Sequence, residues 1–369
     1  MCASLLARKS GTLLLEGNPR PGAKIAVSGG GRCNLANLEL TPRRYRADSR
    51  FVQSVFKRYD QHWLRRWFAE RGVRTRVEKE SQLFCIDGAD SVNRALKKAY
   101  QGVEVRTECP IADVRREREG FLLISRKGQK IRAEKLVVAS GGLSFPKLGA
   151  SDIGFRIAES LGHTVQRPAP ALVGWTLQPA QAFFKTLSGV SCDVEIRVGT
   201  RHWRDRLLFT HRGLSGPAVL NASLWWERGD VAIDFLPGFD LTAIRGERKR
   251  LSTLLPLPRR AVRVLLDHLG VEDLPAIRLS DTAWQILERL HDYRFAPAGN
   301  FGYRRAEVTR GGVATAEVDP KSMQSRLVPG LYFVGEVLDV TGELGGYNFQ
   351  WAFASAAVCA EALDAGGEG

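Results

Sequence analysis

The stretch that most constrains this chain is LYFVGEVLDVTGELGGYNFQWAFASAA, residues 331–357. The apolar run Leu331–Gly335 reads as a buried strand that stops at a glycine. Glu336 and Asp339 follow as hydrogen-bond acceptors. A glycine-rich loop, Gly342 to Gly346, then leads through Tyr347 and Asn348 into an alanine-rich helix over 349–363. A strand, a glycine loop and a helix start in that order present free backbone N–H groups to negative charge. A structural strand–loop–helix that holds nothing is the alternative.

Two further glycine segments follow apolar strands. In TLLLEGNPRPGAKIAVSGGGRCN, residues 12–34, the strand Thr12–Glu16 ends in a carboxylate. An acid in that position accepts hydrogen bonds from ribose hydroxyls in dinucleotide folds. Such an acid normally lies about 20 residues beyond a GxGxxG turn, yet only 15 residues precede Glu16 and they hold no such motif. Ser28, Gly29, Gly30 and Gly31 let the backbone approach a flat or anionic group, and Arg32 and Asn34 add donors. In VASGGLSFPKLG the strand 135–140 stops at Gly141 and Gly142, with Ser151 or Asp152 starting the next helix.

The rest of the chain sorts by texture. Residues 5–10 read as a helix tail capped by Gly11, 50–71 and 91–100 as amphipathic helices, and 103–107 as a strand. Residues 112–126 and 129–134 alternate as a hairpin around Lys127-Gly128. From 168 to about 238 short alternating runs such as DVEIRV and VAIDF predict small antiparallel strands, as in a barrel. LPRRAVRVLLDHLG and SDTAWQILERLHDY, within 252–297, carry helical spacing, with Ser280 or Asp281 as the N-cap of the second. After Gly312 the first texture returns.

Composition narrows the class. No apolar run approaches the about 20 residues of a membrane span, and MCASLLARKSG lacks the pattern of a signal peptide, so the expectation is a cytoplasmic chain. Cys2, Cys33, Cys85, Cys109, Cys192 and Cys359 form no CxxC pair, which predicts reduced thiols rather than disulfides or zinc. The six histidines show no ligand spacing, and no metal is expected. The net charge of +14 is spread along the chain, through Arg43-Arg44, Arg65-Arg66 and Arg248-Lys249-Arg250, without a nucleic-acid motif. A solvated basic surface is the expectation, and nucleic acid is not the expected partner.

The motifs KIAVSGGGRCN (24–34), ASGGLSFPKLGASDIGF (139–155), LLFTHRGLSGPAVLNAS (207–223) and GGVATAEVDPKSMQSRLVPGLYFVGEVLDVTGELGGYNFQWAFASA (311–356) together resemble the BaiN/aminoacetone-oxidase group of FAD-dependent oxidoreductases. The resemblance spans nearly the whole chain. It implies an α/β chain with a discontinuous FAD-binding domain of glutathione-reductase type, Rossmann-like, over 1–165 and 306–369. An inserted domain over 166–305 is implied, barrel-like over 166–240 and helical over 241–305. Proteins of that group begin with a strand and a GxGxxG turn. Here Met1-Cys2-Ala3 falls where the following helix is under way, so an upstream start is expected, a natural truncation being the alternative.

The resemblance implies FAD held by Glu16 at the adenosine ribose. Lys24, Ser28, Gly29, Gly30, Gly31, Arg32, Cys33 and Asn34 would border the pyrophosphate or the flavin, with Gly141 and Gly142 beneath the cofactor. Gly335, Glu336 and Asp339 would meet the ribityl and phosphate groups, and Gly345, Gly346, Tyr347 and Asn348 the ring. The implied activity is electron transfer through flavin N5 to or from a small molecule. NAD(P)H and oxygen both stand open as the linked reactant. No acid or base is identified by motif; His211, Tyr347 and Arg212 are the candidates. A degenerate relative acting as a binding scaffold and a flavin-dependent RNA-modifying enzyme are the alternatives. Oligomeric state is not legible.

Overall fold

The structure is a computed structural model that describes residues 1–6, 11–79 and 81–365. Two units emerge. One comprises Met1–Pro170 with Val308–Gly369, the other Ala171–Glu307.

In the first unit the apolar runs pair as parallel strands. Leu13–Leu15 lies beside Glu104–Arg106, and Leu136–Val138 beside Leu331–Phe333. These are two separate ladders, and among the described residues neither is extended by a further strand. Leu13, Leu15, Leu136 and Val137 are consequently half-buried, packed against a core that contains Phe333, Val337 and Trp351. The final helix, Tyr347–Ala365, is buried along much of its length. Its alanines let the strands and the other helices approach closely.

The helices start where short polar side chains can cap them. Asp48 accepts from the backbone N–H of Arg50 and Phe51 ahead of Ser49–Phe56, and Asp60 accepts from that of Trp63 ahead of Gln61–Ala69. The helix expected over 91–100 begins earlier, at Gly88, and ends at Ala99. At the front, Cys2–Leu5 is helical; the remainder of the expected helix tail, residues 7–10, lies outside the described residues.

Two local expectations change. The stretch 112–126 is itself a hairpin, Ile111–Glu117 with Gly120–Ser125, and Lys130–Ala133 adds a third strand. The extra reversal at Arg118-Glu119 depends on Gly120. At φ +138° a Cβ there would lie 2.3 Å from the Ala133 carbonyl oxygen, so only glycine lets the strands close. A second sheet, Asn34–Asn37 with Gln82–Cys85 and Thr75–Glu78, was not foreseen at all.

The second unit holds a seven-stranded antiparallel sheet. Its strand order is Tyr293–Phe295, Val231–Asp234, Ser191–Val198, Arg201–Thr210, Gly213–Ser215, Trp175–Thr176 and Gly299–Asn300. No ladder joins the two end strands among the described residues. The helices Pro217–Trp225, Arg259–Leu269 and Asp281–Leu287 bury their apolar faces in the same core as the sheet. Ser280 caps the last through its side chain, accepting from Ala283 N–H, and Gly270 at φ +69° closes the middle one.

Candidate functional site

The front glycine segment is a short helix, Ala23–Val27, that turns tightly through Ser28–Gly31. Gly29, Gly30 and Gly31 have φ of +55°, +66° and +86°. Three consecutive left-handed residues are tolerable only without side chains. A Cβ on Gly30 or Gly31 would meet nothing within 4 Å, so the turn presents bare backbone to open space. Beside it Arg32 stacks 4.4 Å from the centroid of the Phe84 ring and pairs with Glu78 at 3.0 Å. Cys33 is buried and its thiol hydrogen-bonds with that of Cys85, which holds Cys33 below the ordinary thiol range.

The back glycine segment closes onto the strand Asn34–Asn37 that follows this turn. Asn37 donates from Nδ2 to the Gly345 carbonyl at 3.0 Å. Gly346, at φ +95°, approaches so near that a Cβ would lie 2.5 Å from the Ala36 carbonyl oxygen and 2.7 Å from Asn34 Oδ1. Lys24 Nζ reaches Glu336 Oε2 at 2.5 Å.

Glu336 is the hub. Its other oxygen accepts from Thr309 N–H at 2.8 Å. Thr309 Oγ1 in turn accepts from the backbone N–H of Leu143 and Ser144, at 2.8 and 3.1 Å. Gly141 and Gly142 lie against the same carboxylate, and a Cβ on Gly142 would meet Thr309 Oγ1 at 2.6 Å. The three glycine segments read from the sequence therefore converge on one carboxylate.

Other expected residues are engaged elsewhere. Glu16, at its strand end, accepts from Asn18 N–H at 2.8 Å, and Asn18 Nδ2 donates to the Leu148 carbonyl at 3.1 Å, tying the Glu16 turn to the Gly141–Gly149 segment. Asp339 donates its backbone N–H to the Val313 carbonyl, and burial raises its carboxyl pKa against the opposing pull of Arg46 and the Gly311 N–H. Tyr347 is buried, its hydroxyl donates to the Glu39 carbonyl at 3.3 Å, and burial pushes the phenol to about 12. Asn348 uses both ends of its amide to close the 342–348 loop, donating to the Gly342 carbonyl and accepting from Gly342 N–H. Gly335 is bound by the final helix, through Ser355 Oγ and Trp351 Nε1. His211 and Arg212 stand exposed at the turn between Arg201–Thr210 and Gly213–Ser215 in the second unit.

Sequence reasoning missed Thr309, Asn18 and Asn37. Asn18 and Asn37 carry the turn-forming residue type, whereas Thr309 sits inside the strand Val308–Val313 with nothing local to single it out.

These residues fit FAD. The open backbone of Gly30 and Gly31 and the Lys24 cation suit a pyrophosphate. Asn34 Oδ1 is buried without a partner, an acceptor in want of a donor such as a flavin ring N–H.

The sequence profile of the HI0933-like protein Rossmann domain matches residues 1–362. The chain belongs to this family. It is a family of flavoprotein-type oxidoreductases. Among family relatives, the ribosomal RNA dihydrouridine synthase of Escherichia coli (strain K12) is 40% identical over 381 residues, covering 98% of this chain and 95% of that protein. Its namesake in Haemophilus influenzae is 39% identical, with 97% and 94% covered. The 3-dehydro-bile acid delta(4,6)-reductase of Clostridium scindens is 29% identical, with 96% and 94% covered. Among solved structures, PqsL of Pseudomonas aeruginosa, a probable FAD-dependent monooxygenase, gives a TM-score of 0.37 at 14% identity, covering 98% of this chain and 82% of that one. A superposition that loose says nothing about activity. In this HI0933-like chain, Lys24 and Glu336 are where the three glycine segments are tied together.

Proposed function

We propose that this HI0933-like chain is an FAD-dependent reductase that converts a uridine of ribosomal RNA to dihydrouridine, with NADH or NADPH as the source of electrons. The observation that carries the reading is identity of 40% and 39% to two ribosomal RNA dihydrouridine synthases over almost the full length of each chain. The bile-acid reductase supports the same reaction type. Uracil C5–C6 and a 3-oxo steroid's C4–C5 are both double bonds conjugated with a carbonyl.

The net reaction adds a hydride to C6 and a proton to C5, while NAD(P)H is oxidised to NAD(P)+. A bound flavin supplies the two-electron relay at N5. The chain's own contribution is placement. Lys24 and the bare backbone of Gly30 and Gly31 counter the pyrophosphate charge. Glu336, locked by Thr309 N–H, holds Lys24 in position. Gly142 and Gly346 keep three segments close enough to shape one bed.

The test uses the purified chain with added FAD. Anaerobic NADH or NADPH should bleach the bound flavin, and unmodified ribosomal RNA should then gain dihydrouridine by nucleoside mass spectrometry. If no flavin binds, the enzyme reading fails. If flavin is reduced and a 3-oxo-4,6-diene steroid is turned over while RNA is untouched, the substrate belongs to the bile-acid branch.

A further inference from the structure

Two helices of the first unit expose basic side chains and come together at their C-terminal ends. Gln61–Ala69 and Gly88–Ala99 lean their apolar sides, Leu64, Trp67 and Phe68 from one and Val92, Ala95 and Leu96 from the other, on a shared core. Their outer sides expose Arg65 and Arg66 on the first helix and Arg94, Lys97 and Lys98 on the second. The last three are spaced i, i+3, i+4 and so share one face. The C-terminal ends of the two helices meet at a surface cleft of about 400 Å³, lined by Glu70, Arg71, Lys98 and Ala99.

The acids nearby leave this face basic: Asp90, exposed one turn before Arg94, is a single carboxylate against three cations. Asp87, at the start of the second helix, is held through both oxygens by Arg74, at 3.1 and 2.6 Å. Glu70 lies 3.5 Å from Arg71 with its own side chain 70% exposed, a pair that water screens strongly. Arg71 itself is fixed, its guanidinium stacked 3.9 Å from the Trp67 ring centroid and donating to the Trp67 carbonyl at 2.8 Å. Arg65, Arg66, Arg94, Lys97 and Lys98 form no ion pair among the described residues.

We propose that the Arg94, Lys97 and Lys98 face of the second helix, with the cleft beside it, grips the phosphate backbone of the RNA substrate. The inference rests on the RNA reading above and adds to it where the RNA is held. Unpaired cations release counterions when phosphates replace them, the dominant sequence-independent term in RNA affinity. A protein partner would call for apolar or aromatic anchors at the centre of the surface. Among the described residues the exposed large apolar side chains are Val27, Val77, Ile86, Leu208, Ile277 and Leu327, and none lies on either helix.

The test compares two charge-reversed variants of the full chain. Arg94→Glu/Lys97→Glu/Lys98→Glu alters the face; Arg126→Glu/Lys127→Glu/Lys130→Glu makes an equal charge change at an exposed turn elsewhere in the same unit. Binding of a ribosomal RNA fragment is measured across a salt series. The first triple should bind about tenfold more weakly or worse near 0.15 M salt, and its log–log salt slope should shrink by about 3. The second should change far less, and both should keep flavin absorbance and NAD(P)H-driven flavin reduction. Lys98→Ala, expected to shrink the slope by about 1, keeps the test alive if the triple misfolds. Equal losses in the two triples, or no loss in the first, overturn the proposal. So does unchanged RNA binding accompanied by lost binding to an acidic ribosomal protein. A wild-type chain that neither binds RNA nor makes dihydrouridine sinks the underlying reading instead, and that outcome is seen before any variant is made.

Discussion

Lys24 and Glu336 stand 312 residues apart in the sequence, and their Nζ and Oε2 atoms are 2.5 Å apart in the fold. The bond joins the front and back glycine segments, but its two partners are not equal. Lys24 is 37% exposed and Glu336 18%, and only Glu336 also takes a backbone N–H, that of buried Thr309.

The asymmetry predicts the mutational cost. Lys24→Ala leaves a carboxylate still bonded to Thr309 and partly wet, and should cost about 1 kcal/mol. Glu336→Ala strands Thr309 N–H in the interior and should cost about 2–3 kcal/mol. Urea unfolding midpoints measure both, and equal losses would show that Thr309 takes no share.

Glycine substitutions should separate close packing from backbone strain. Gly30→Ala keeps an open neighbourhood and pays only the left-handed conformation, about 1–2 kcal/mol. Gly346→Ala drives a methyl to 2.5 Å from a backbone oxygen and must move the 34–37 strand, so it should cost several kcal/mol. Calorimetric melting of the two variants decides the order; a Gly346→Ala chain as stable as Gly30→Ala contradicts the close approach.

His163 links Glu317 to Ser325, with its Nδ1 3.2 Å from Glu317 Oε2 and its Nε2 2.8 Å from Ser325 Oγ. The array resembles a nucleophilic triad, yet Ser325 Oγ already accepts from Leu327 and Val328 N–H at 3.0 and 2.8 Å. Ser325 should therefore resist a fluorophosphonate probe, and covalent labelling there would refute a structural role.

The same histidine predicts a pH dependence. Burial lowers its pKa below the ordinary 6.5, with Glu317 pulling the other way. The unfolded chain thus takes up a proton that the folded chain resists. Stability from neutral His163 is whole above pH 6.5 and falls as pH drops below it, by at most about 1.4 kcal/mol per pH unit. Denaturation curves from pH 7 to 5 should be flatter for His163→Gln than for wild type. Glu317, whose carboxyl is held low by Thr164 and His163 despite its partial burial, acts only at more acid pH.

Tyr347→Phe tests one of the proton-donor candidates. A buried phenol at about 12, bonded to the Glu39 carbonyl, is placed for packing against Tyr45. The variant should lose about 1 kcal/mol and, under the proposed function, form dihydrouridine at the wild-type rate. A large drop in that rate at unchanged stability would restore Tyr347 as the acid.

What residue order determined by itself is the set of local pieces. Leu13–Leu15, Leu136–Val138 and Leu331–Phe333 are strands because short apolar runs stop at a carboxylate or glycine, and Ser280 is a cap because its hydroxyl reaches the N–H three residues on. Such choices are settled within a turn or a strand's length, so they are visible in the sequence. The family, too, was legible, because its motifs are long and contiguous. The meeting of Lys24 with Glu336, the part played by Thr309, the sheet of Asn34–Asn37 and the meeting of Lys98 with Arg71 at one cleft were decided only in three dimensions. Each depends on burial of apolar faces from distant segments against one another. That packing is a property of the whole chain, and no local pattern around any one of these residues encodes it.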